Sequence, residues 1–356
     1  MLSSIYSSRP FERTCGSLCF HLRRRTHRKV IVIESDDWGM ERAVDEKALS
    51  WMRERFGESN FTRWSTDALE TREDLEMLYN VLEGFKTKFK LPPIITANFV
   101  THNVDYSSPD KLKLLPLTEG FNEQSDDVRY FYKVGIEKGF IYPQLHGYSH
   151  YNITQLEKYF ITSEGREAFQ KTFLFARSTI RRNTSFLHGE LDRSNEEAGR
   201  FLEGIDVFQR MFGYRPTSFI APTYILDTCF LDLLKSNGIQ VLQAGNRLVN
   251  SSNQRLFYPI LRKRNGLLWS IRNVRLDPHR DYGFDSQRAV ADIETAFENK
   301  LPAVIDFHRV NFAGRYNPSY RDETICQLRS LLNSIYEKWP EAVFLTSNQL
   351  KDALHS

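Results

Sequence analysis

The sequence predicts an α/β protein built as a single-domain β/α barrel of seven or eight parallel strands. Strand and helix patterns alternate seven or eight times along the 356 residues, and this alternation is the signature of a parallel sheet. A content of 41% hydrophobic and 26% charged residues is typical of a globular protein. A doubly wound open sheet is the alternative, but the G-x-G-x-x-G turn that such folds use after the first strand is absent.

Strands are predicted where apolar or β-branched runs are bounded by turn residues. The first lies in the stretch from Lys29 to Gly39, KVIVIESDDWG, whose near-continuous apolar run suits a strand covered on both faces. The others are predicted over 94–100, within 140–150, and over 217–222, 239–243, 267–271, 302–308 and 342–346.

Helices are predicted where apolar residues recur three and four positions apart. Thr71 with Asp74, and Ser194 with Glu197, are expected to cap two of them. Residues 101–124, which include His102, are predicted to be a long loop. The helices are expected over 71–85, 126–138, parts of 154–190, 194–212, 227–237, 285–299 and 321–337.

Residues 1–28 are predicted to be a flexible basic arm that precedes one domain over 29–356. Residues 1–29 contain seven Lys or Arg and one Glu, so this stretch carries +6 and the remainder −3 of the net charge of +3. A solvated arm is expected, with weak contact to an anionic membrane or glycan surface, or an organellar transit segment, as alternatives. Because the body is mildly acidic, no nucleic-acid partner is expected.

The four cysteines, at positions 15, 19, 229 and 326, are too few for a disulfide framework, which favours a reducing compartment. A zinc cluster of the first two with His21 and His27 is disfavoured, because Cys19 and His21 stand too close together. The sequence has no run of eighteen apolar residues and no secretory apolar core in its first thirty residues. We therefore expect a cytoplasmic protein.

Polar side chains that could act in catalysis or bind a metal are concentrated where the predicted strands end. Because the carboxyl ends of parallel strands meet at one mouth of a barrel, we expect these side chains to lie together. In chain order they are Asp36, Asp37, His146, His150, Pro222, Tyr224 and His308.

The sequence also predicts a metal site. His146 and His150 stand four residues apart in HGYSH, a spacing that places two imidazoles on one side of a helical turn. One carboxylate with two imidazoles leaves positions open for water and substrate, as in hydrolytic zinc sites. Zinc is the expected ion, with cobalt, manganese and nickel as alternatives. Taken alone, an Asp after a strand is more often a loop or capping residue, and an H-x-x-x-H pair is more often a surface feature.

These motifs resemble those of the polysaccharide deacetylases with NodB homology, the carbohydrate esterase family 4 type, over about residues 29–350. SDD at 35–37 resembles the first motif of the family, HGYSH at 146–150 the second and VIDFH at 304–308 the fifth. FIAPTY at 219–224 keeps the proline and aromatic residue of the third motif but has Ile220 and Ala221 where an arginine is expected. The fourth motif, Asp-Trp, is not found, although Trp269 and the LDPHRDYG loop with Asp277 and His279 lie in that region.

The resemblance implies a distorted barrel that binds a divalent metal and removes acetyl groups, preferably N-acetyl, from a sugar unit of a polysaccharide, glycan or glycolipid. Asp37, His146 and His150 would bind the metal, and Asp36 would take a proton from the metal-bound water. His308 would protonate the departing amine.

The resemblance also bears on substrate contacts. The backbone N–H near Tyr224, after Pro222, would help hold the oxyanion. Arg309 or His279 could orient Asp36 in place of the missing arginine. Sugar rings could stack on the aromatic residues Trp38, Trp64, Tyr148, Tyr224 and Tyr282.

Two other functions remain open from the residues. A glycosidase on a similar barrel could pair Asp36 with Asp306 or Asp277 and would not need the histidine pair. A non-catalytic glycan-binding protein is the alternative from a different class, because the third and fourth motifs are altered.

Overall fold

The computed structural model describes residues 25–42, 44–58, 63–108, 110–122, 128–171, 195–245, 248–250, 255–256, 263–264, 266–277 and 285–354. Its strands are β1 (Val30–Trp38), β2 (Ile95–Phe99), β3 (His102–Asp105), β4 (Lys113–Pro116), β5 (Ile141–Leu145), β6 (Ser218–Ile220), β7 (Val241–Ala244), β8 (Leu248–Val249), β9 (Arg255–Leu256), β10 (Lys263–Arg264), β11 (Leu267–Ile271), β12 (Val274–Arg275), β13 (Ala303–Asp306) and β14 (Val343–Leu345). Its α-helices are α1 (Glu46–Phe56), α2 (Arg72–Glu83), α3 (Val128–Glu137), α4 (Ile153–Phe160), α5 (Ser163–Gln170), α6 (Asn195–Phe212), α7 (Phe230–Ser236), α8 (Ser286–Glu298), α9 (Pro318–Lys338) and α10 (Leu350–Ala353).

One mixed sheet forms the centre of the fold. The strands β11, β7, β6, β5, β2, β1, β13 and β12 lie side by side in that order, and every neighbouring pair among them is parallel. β10 pairs antiparallel with β11. β14 runs parallel to β1 along Val30 to Val32, and β2 continues along β1 from Ile33. The predicted α/β class is confirmed.

A single segment, residues 267–275, curls this sheet into a barrel. Its first part, β11, pairs with β7, and its second part, β12, pairs with β13 at the other end of the strand order. Between the two, the Arg272 N–H donates to the Ala244 carbonyl and the Asn273 N–H donates to the Val304 carbonyl. The segment therefore changes its pairing partner at Arg272, and the predicted distorted barrel is confirmed.

One face of β1 is apolar in its first half and acidic towards its carboxyl end, at the mouth of the barrel. All nine of its residues are buried, and alternate residues of a strand share a face. Val30 and Val32 belong to an apolar cluster with valines and leucines of β7, β11, β13 and β14. Glu34 and Asp36 continue the same face, so the acids begin where the apolar packing ends. The opposite face packs against α2, α8 and α9.

One of the two predicted helix caps is confirmed. The Thr71 hydroxyl accepts a hydrogen bond from the Asp74 N–H over 3.2 Å, and the Asp74 carboxylate accepts one from the Thr71 N–H over 2.9 Å. Ser194 lies outside the described residues. Glu197, its expected partner, accepts hydrogen bonds from the Thr154 hydroxyl and from Arg200.

Two elements at the mouth differ from the sequence prediction. The helix α1 was not predicted, and residues 101–124, predicted as a loop, contain the antiparallel hairpin of β3 and β4. Both follow the carboxyl end of a central strand, as do α4 and α5 after β5. The hairpin packs against α4 and α5, and α1 packs against α5. These insertions therefore form a continuous wall along the β1, β2 and β5 side of the mouth.

Most of the predicted arm, residues 1–24, lies outside the described part of the chain, and so do Cys15, Cys19 and His21. Cys229 and Cys326 are exposed free thiols. None of the helices that the structure describes combines the length and the apolar character needed to cross a membrane.

Candidate active site

Asp36 and Asp37 are neighbours in sequence, yet both carboxylates reach the mouth because β1 contains a bulge. Ser35 pairs with Ala97 and Trp38 pairs with Phe99, so β1 has one residue more than β2 in this interval. Asp37 has a φ angle of 70°, in the left-handed region that few non-glycine residues adopt. Such a conformation costs about 1–3 kcal/mol and is found mostly at functional sites. The bulge thus directs two consecutive acids to two different sets of partners.

Asp37 meets the two histidines of HGYSH. His146 Nε2 lies 3.3 Å and His150 Nε2 3.5 Å from Asp37 Oδ1, and all three residues are buried. Residues 148–151 form bends rather than the helical turn that the spacing suggested. Gly147 and His150 both have positive φ angles, of 87° and 67°. This sharply bent loop brings the two rings to a centroid separation of 5.1 Å, nearly perpendicular to each other.

The three residues fit a divalent cation. Their candidate ligand atoms lie within 4.8 Å of one another. His146 Nδ1 lies 3.1 Å from the Ile220 carbonyl, so Nδ1 carries the proton and the lone pair of Nε2 faces Asp37. Among the described residues, no donor is aligned on the buried Oδ1 of Asp37. Lone pairs that converge in a buried place require a cation or a proton between them.

The second oxygen of Asp37 is bound by Arg42. Arg42 Nη2 donates to Asp37 Oδ2 over 2.8 Å. Burial would raise the pKa of Asp37, but the Arg42 guanidinium beside it holds that pKa well below its usual 3.8. The carboxylate is therefore ionised, with one oxygen paired and the other directed at His146 and His150.

Arg309, proposed from the sequence as a group that could orient Asp36, lies elsewhere. Its guanidinium is fully buried and contacts both oxygens of Asp67 over 3.1 Å each and Glu70 over 3.2 Å. Arg309 is therefore linked to Asp37 through Asp67 and Arg42, and not to Asp36. His279, the other residue proposed for this role, lies outside the described residues.

Arg272, which was not among the predicted site residues, contacts Asp36. Nη2 lies 2.6 Å from Asp36 Oδ1 and Nη1 lies 2.8 Å from Oδ2, a bidentate arrangement. Asn98 Nδ2 donates to Asp36 Oδ1 over 2.8 Å. Burial would raise the pKa of Asp36, but Arg272, with His308 and His146, lowers it far below 3.8. Asp36 is consequently ionised throughout the physiological pH range.

The same guanidinium serves two further acids. Arg272 Nε donates to Glu34 Oε2 over 2.8 Å, and Nη1 donates to Asp306 Oδ1 over 2.6 Å. One buried arginine thus compensates three carboxylates. This residue was not predicted from the sequence, although it stands directly after the predicted strand 267–271, in the same strand-end position as the other site residues.

His308 faces Asp36 with one ring nitrogen and two further acids with the other. Nε2 lies 3.3 Å from Asp36 Oδ2, and Nδ1 lies 2.6 Å from Asp277 and 3.2 Å from Asp306. Burial would lower the pKa of His308, but the three carboxylates, Asp277 most strongly, hold it well above 6.5. The ring is therefore an imidazolium at neutral pH. The Trp64 ring meets it edge-on at a centroid distance of 5.1 Å.

Asp36, Asp306 and His308 form a second group with possible ligand atoms within 4.8 Å of one another. Its charge is already balanced, because Arg272 contacts both carboxylates and His308 is protonated. This group is therefore suited to holding and moving protons, and less suited to binding a second metal.

The residues proposed for substrate contacts have mixed positions. Pro222 and Tyr224 lie in a short 3-10 helix after β6, and Thr223 and Tyr224 have φ angles of 54° and 58°. The Tyr224 N–H donates to the Ala221 carbonyl over 2.9 Å, so it is engaged within the turn. Its hydroxyl accepts a hydrogen bond from Arg272 Nη1 over 3.2 Å. Trp38 is fully buried, and its indole N–H donates to Ser35.

Comparisons with known proteins give structural likenesses only. No protein family model matches the sequence, and no curated protein matches it. A solved structure of a 4-alpha-glucanotransferase from Thermococcus litoralis is similar at 12% sequence identity and a TM-score of 0.44, over 91% of this chain and 38% of that chain.

Two of the other similar structures are a deacetylase and an esterase. The peptidoglycan deacetylase PdaC from Bacillus subtilis is 11% identical with a TM-score of 0.40, over 92% of each chain. A family 4 acetyl xylan esterase from Clostridium thermocellum, solved in complex with a cobalt ion, is 9% identical with a TM-score of 0.41, over 91% of this chain and 90% of that chain. Other deacetylases are also among the solved structures similar to this chain.

Proposed function

We propose that this protein is a metal-dependent hydrolase that removes acetyl groups from a carbohydrate, with N-acetyl groups favoured. The observation that carries the proposal is the pairing of two complementary groups at one mouth. The first is a buried carboxylate with two imidazoles, and the second is an ionised carboxylate beside an imidazolium. Asp36 and Asp37, adjacent on the bulge of β1, link the two groups.

Asp37, His146 and His150 would hold the metal. When bound, a divalent cation supplies Lewis acidity, which polarises an acyl oxygen and lowers the pKa of water. The Ile220 carbonyl fixes the tautomer of His146, and Arg42 occupies the other oxygen of Asp37. The protein thereby offers three ligand atoms and leaves room for water and substrate, as in other hydrolytic sites.

Asp36 would act as the general base. A base must be deprotonated before the reaction, and the bidentate contact with Arg272 keeps Asp36 ionised. The same contact, with Asn98, fixes the orientation of the carboxylate. Arg272 thus provides the function left open by Ile220 and Ala221 in the third motif.

His308 would act as the general acid. It is held protonated by Asp277 and Asp306, and Nε2 faces Asp36 at the mouth. A nitrogen leaving group must take up a proton before it can depart as an amine, whereas an alkoxide depends on that proton less. A histidine kept in its charged form therefore favours cleavage of an N-acetyl group, which yields acetate and a free amine.

The alternative functions receive less support from the geometry. A glycosidase needs one protonated carboxylic acid opposite an ionised one, but Asp36 and Asp306 share the charge of Arg272. The pKa of Asp277 is raised, mainly by burial, but its carboxylate is committed to His308. A purely glycan-binding protein would not require the base, the acid and the histidine pair together.

The proposal is tested by acetate release. The protein, loaded with Zn²⁺ or Co²⁺, is incubated with N-acetylhexosamine oligomers, lipid-linked N-acetylated sugars and O-acetylated controls, and products are identified by mass spectrometry. We expect loss of one acetyl mass from N-acetylated substrates. Loss only from the O-acetylated controls would contradict the N-acetyl preference, and no acetate from any substrate, with metal bound, would contradict the hydrolase.

A further inference from the structure

Arg42 belongs to none of the motifs that predict the site, yet it contacts a candidate metal ligand. Its Nη2 donates to Asp37 Oδ2 over 2.8 Å, and its Nε lies 2.9 Å from Asp67 Oδ2. All three side chains are buried. One guanidinium therefore bridges two carboxylates, and of these only Asp37 faces the histidine pair.

The far end of this bridge is fixed by a second arginine. Arg309 contacts Asp67 through Nε and Nη2, over 3.1 Å each, and Glu70 through Nη1, over 3.2 Å. Charges of opposite sign alternate along the buried row Asp37, Arg42, Asp67, Arg309 and Glu70. Asp67 cannot move without losing its contacts with Arg309, so it is a firm anchor for Arg42.

The backbone before Arg42 is held in place by the hairpin of the wall. Asn103, in β3, accepts a hydrogen bond from the Glu41 N–H and donates one to the Gly39 carbonyl, each over 2.8 Å. The Gly39 N–H donates to Glu70 over 3.1 Å. The segment between the bulge of β1 and Arg42 is therefore tied on both sides, which fixes where the guanidinium can reach.

We propose that Arg42, anchored by Asp67, is a positioning residue that restricts Asp37 to one coordinating oxygen, Oδ1. This inference rests on the metal site of the proposed function. The ion pair at Oδ2 opposes rotation of the carboxylate about its terminal bond and competes with coordination of a cation by both oxygens. Oδ1 therefore stays directed at His146 and His150. Groups that orient metal ligands in this way typically contribute 10- to 100-fold to metal affinity.

A lysine would not replace Arg42 in this function. Its single ammonium carries the same charge, but it lacks the rigid fork that contacts two carboxylates along separate edges. Arg42→Lys therefore separates positioning from charge. A charge effect alone has the opposite sign, because a cation next to the site repels a dication, and its removal would strengthen metal binding.

The test is a Co²⁺ titration of the metal-free full chain, followed by calorimetry and by the visible absorption of bound Co²⁺, which reports the coordination geometry. We expect Arg42→Lys and Arg42→Gln to bind Co²⁺ about 10- to 100-fold more weakly than the parent and to change its spectrum. Arg321→Lys is the matched control, because Arg321 forms a buried pair with Asp74, over 2.9 Å, away from the site. Its Co²⁺ affinity and spectrum are expected to equal those of the parent.

The outcomes separate this inference from the proposed function. If the parent binds no Co²⁺, the metal site is wrong and the inference falls with it. If the parent binds Co²⁺ and Arg42→Lys binds it with equal or higher affinity and an unchanged spectrum, the positioning function of Arg42 is wrong while the metal site stands. Circular dichroism of each variant tests whether the fold is intact. Arg42→Lys retains the positive charge and should therefore disturb folding less than Arg42→Gln.

Discussion

Replacing Arg272 by methionine should destabilise the protein by about 3–5 kcal/mol at neutral pH, because it removes one partner of a buried ion pair and leaves the other uncompensated. Three carboxylates contact Arg272, but each retains another donor or cation, so we expect the loss typical of one broken buried pair rather than of three. These remaining partners are Ser347 for Glu34, Asn98 for Asp36 and His308 for Asp306.

The loss should depend on pH. In the parent, the lowered pKa of Asp36 contributes stability that is present above its unfolded pKa of about 3.8 and is lost as the pH falls through the folded pKa. In Arg272→Met, burial without the cation raises the carboxylate pKa values, and the stability of the variant therefore declines as the pH rises through them. The difference between the two proteins should consequently be largest near neutral pH and smaller in acid.

Urea unfolding followed by circular dichroism at about pH 7 and about pH 5 measures both quantities, provided that the m-values of parent and variant agree. A loss below about 1 kcal/mol at both pH values would refute the reasoning, since it is the value expected of a solvent-screened surface pair. A loss that does not shrink towards acid would show that packing, and not charge, dominates at Arg272.

Three further predictions concern the proposed chemistry. His146→Ala and His150→Ala should each lose the bound metal, as measured by elemental analysis after dialysis, because only two ligands would remain. Asp36→Asn should retain the metal but lose about 100- to 10,000-fold in turnover, since an amide cannot accept the proton. His308 must be protonated to act, so the alkaline loss of parent activity should occur as the pH rises through the raised pKa of His308, well above 6.5. The pH profile of His308→Ala should lack this basic limb.

Each of these predictions has a contrary outcome. Parent-level metal content in both His146→Ala and His150→Ala would place the metal elsewhere. Turnover of Asp36→Asn near that of the parent would remove Asp36 as the base. A basic limb that persists unchanged in His308→Ala would assign it to another group, such as the metal site itself.

Local patterns in the sequence predicted the parts of the fold and site that depend on local geometry. The apolar run before Asp36 predicts a buried strand that ends in acids, and the cap at Thr71 follows from a four-residue motif. HGYSH predicts that His146 and His150 converge, although the structure achieves this with a bent loop instead of a helical turn. The spacing indicated that the two rings lie together, but it did not indicate the backbone conformation that brings them together.

The parts that the sequence did not predict depend on contacts between distant segments. Arg272 lies 236 residues from Asp36, and its place directly after the predicted strand 267–271 does not show which carboxylates it contacts. Its position follows from the change of pairing partner between β11 and β12, which is a property of the closed sheet. The row of charged residues from Asp37 to Glu70 was not predicted for the same reason. The helix α1 and the hairpin of β3 and β4 were not predicted because no apolar pattern indicated them.

The closing segment of the barrel lies late in the chain, and β13, with which it pairs, lies later still. Ribosomes add roughly 5–20 residues per second, and 236 residues separate Asp36 from Arg272. The carboxylates of β1 therefore emerge roughly 10 to 50 seconds before the cation that neutralises them. Until Arg272 is made, the acids of β1 lack the guanidinium that contacts them, and the sheet can close only after β13, at Ala303–Asp306, has also been made. A chain that ends before β13 therefore has neither the closed sheet nor Asp306 and His308 of its mouth.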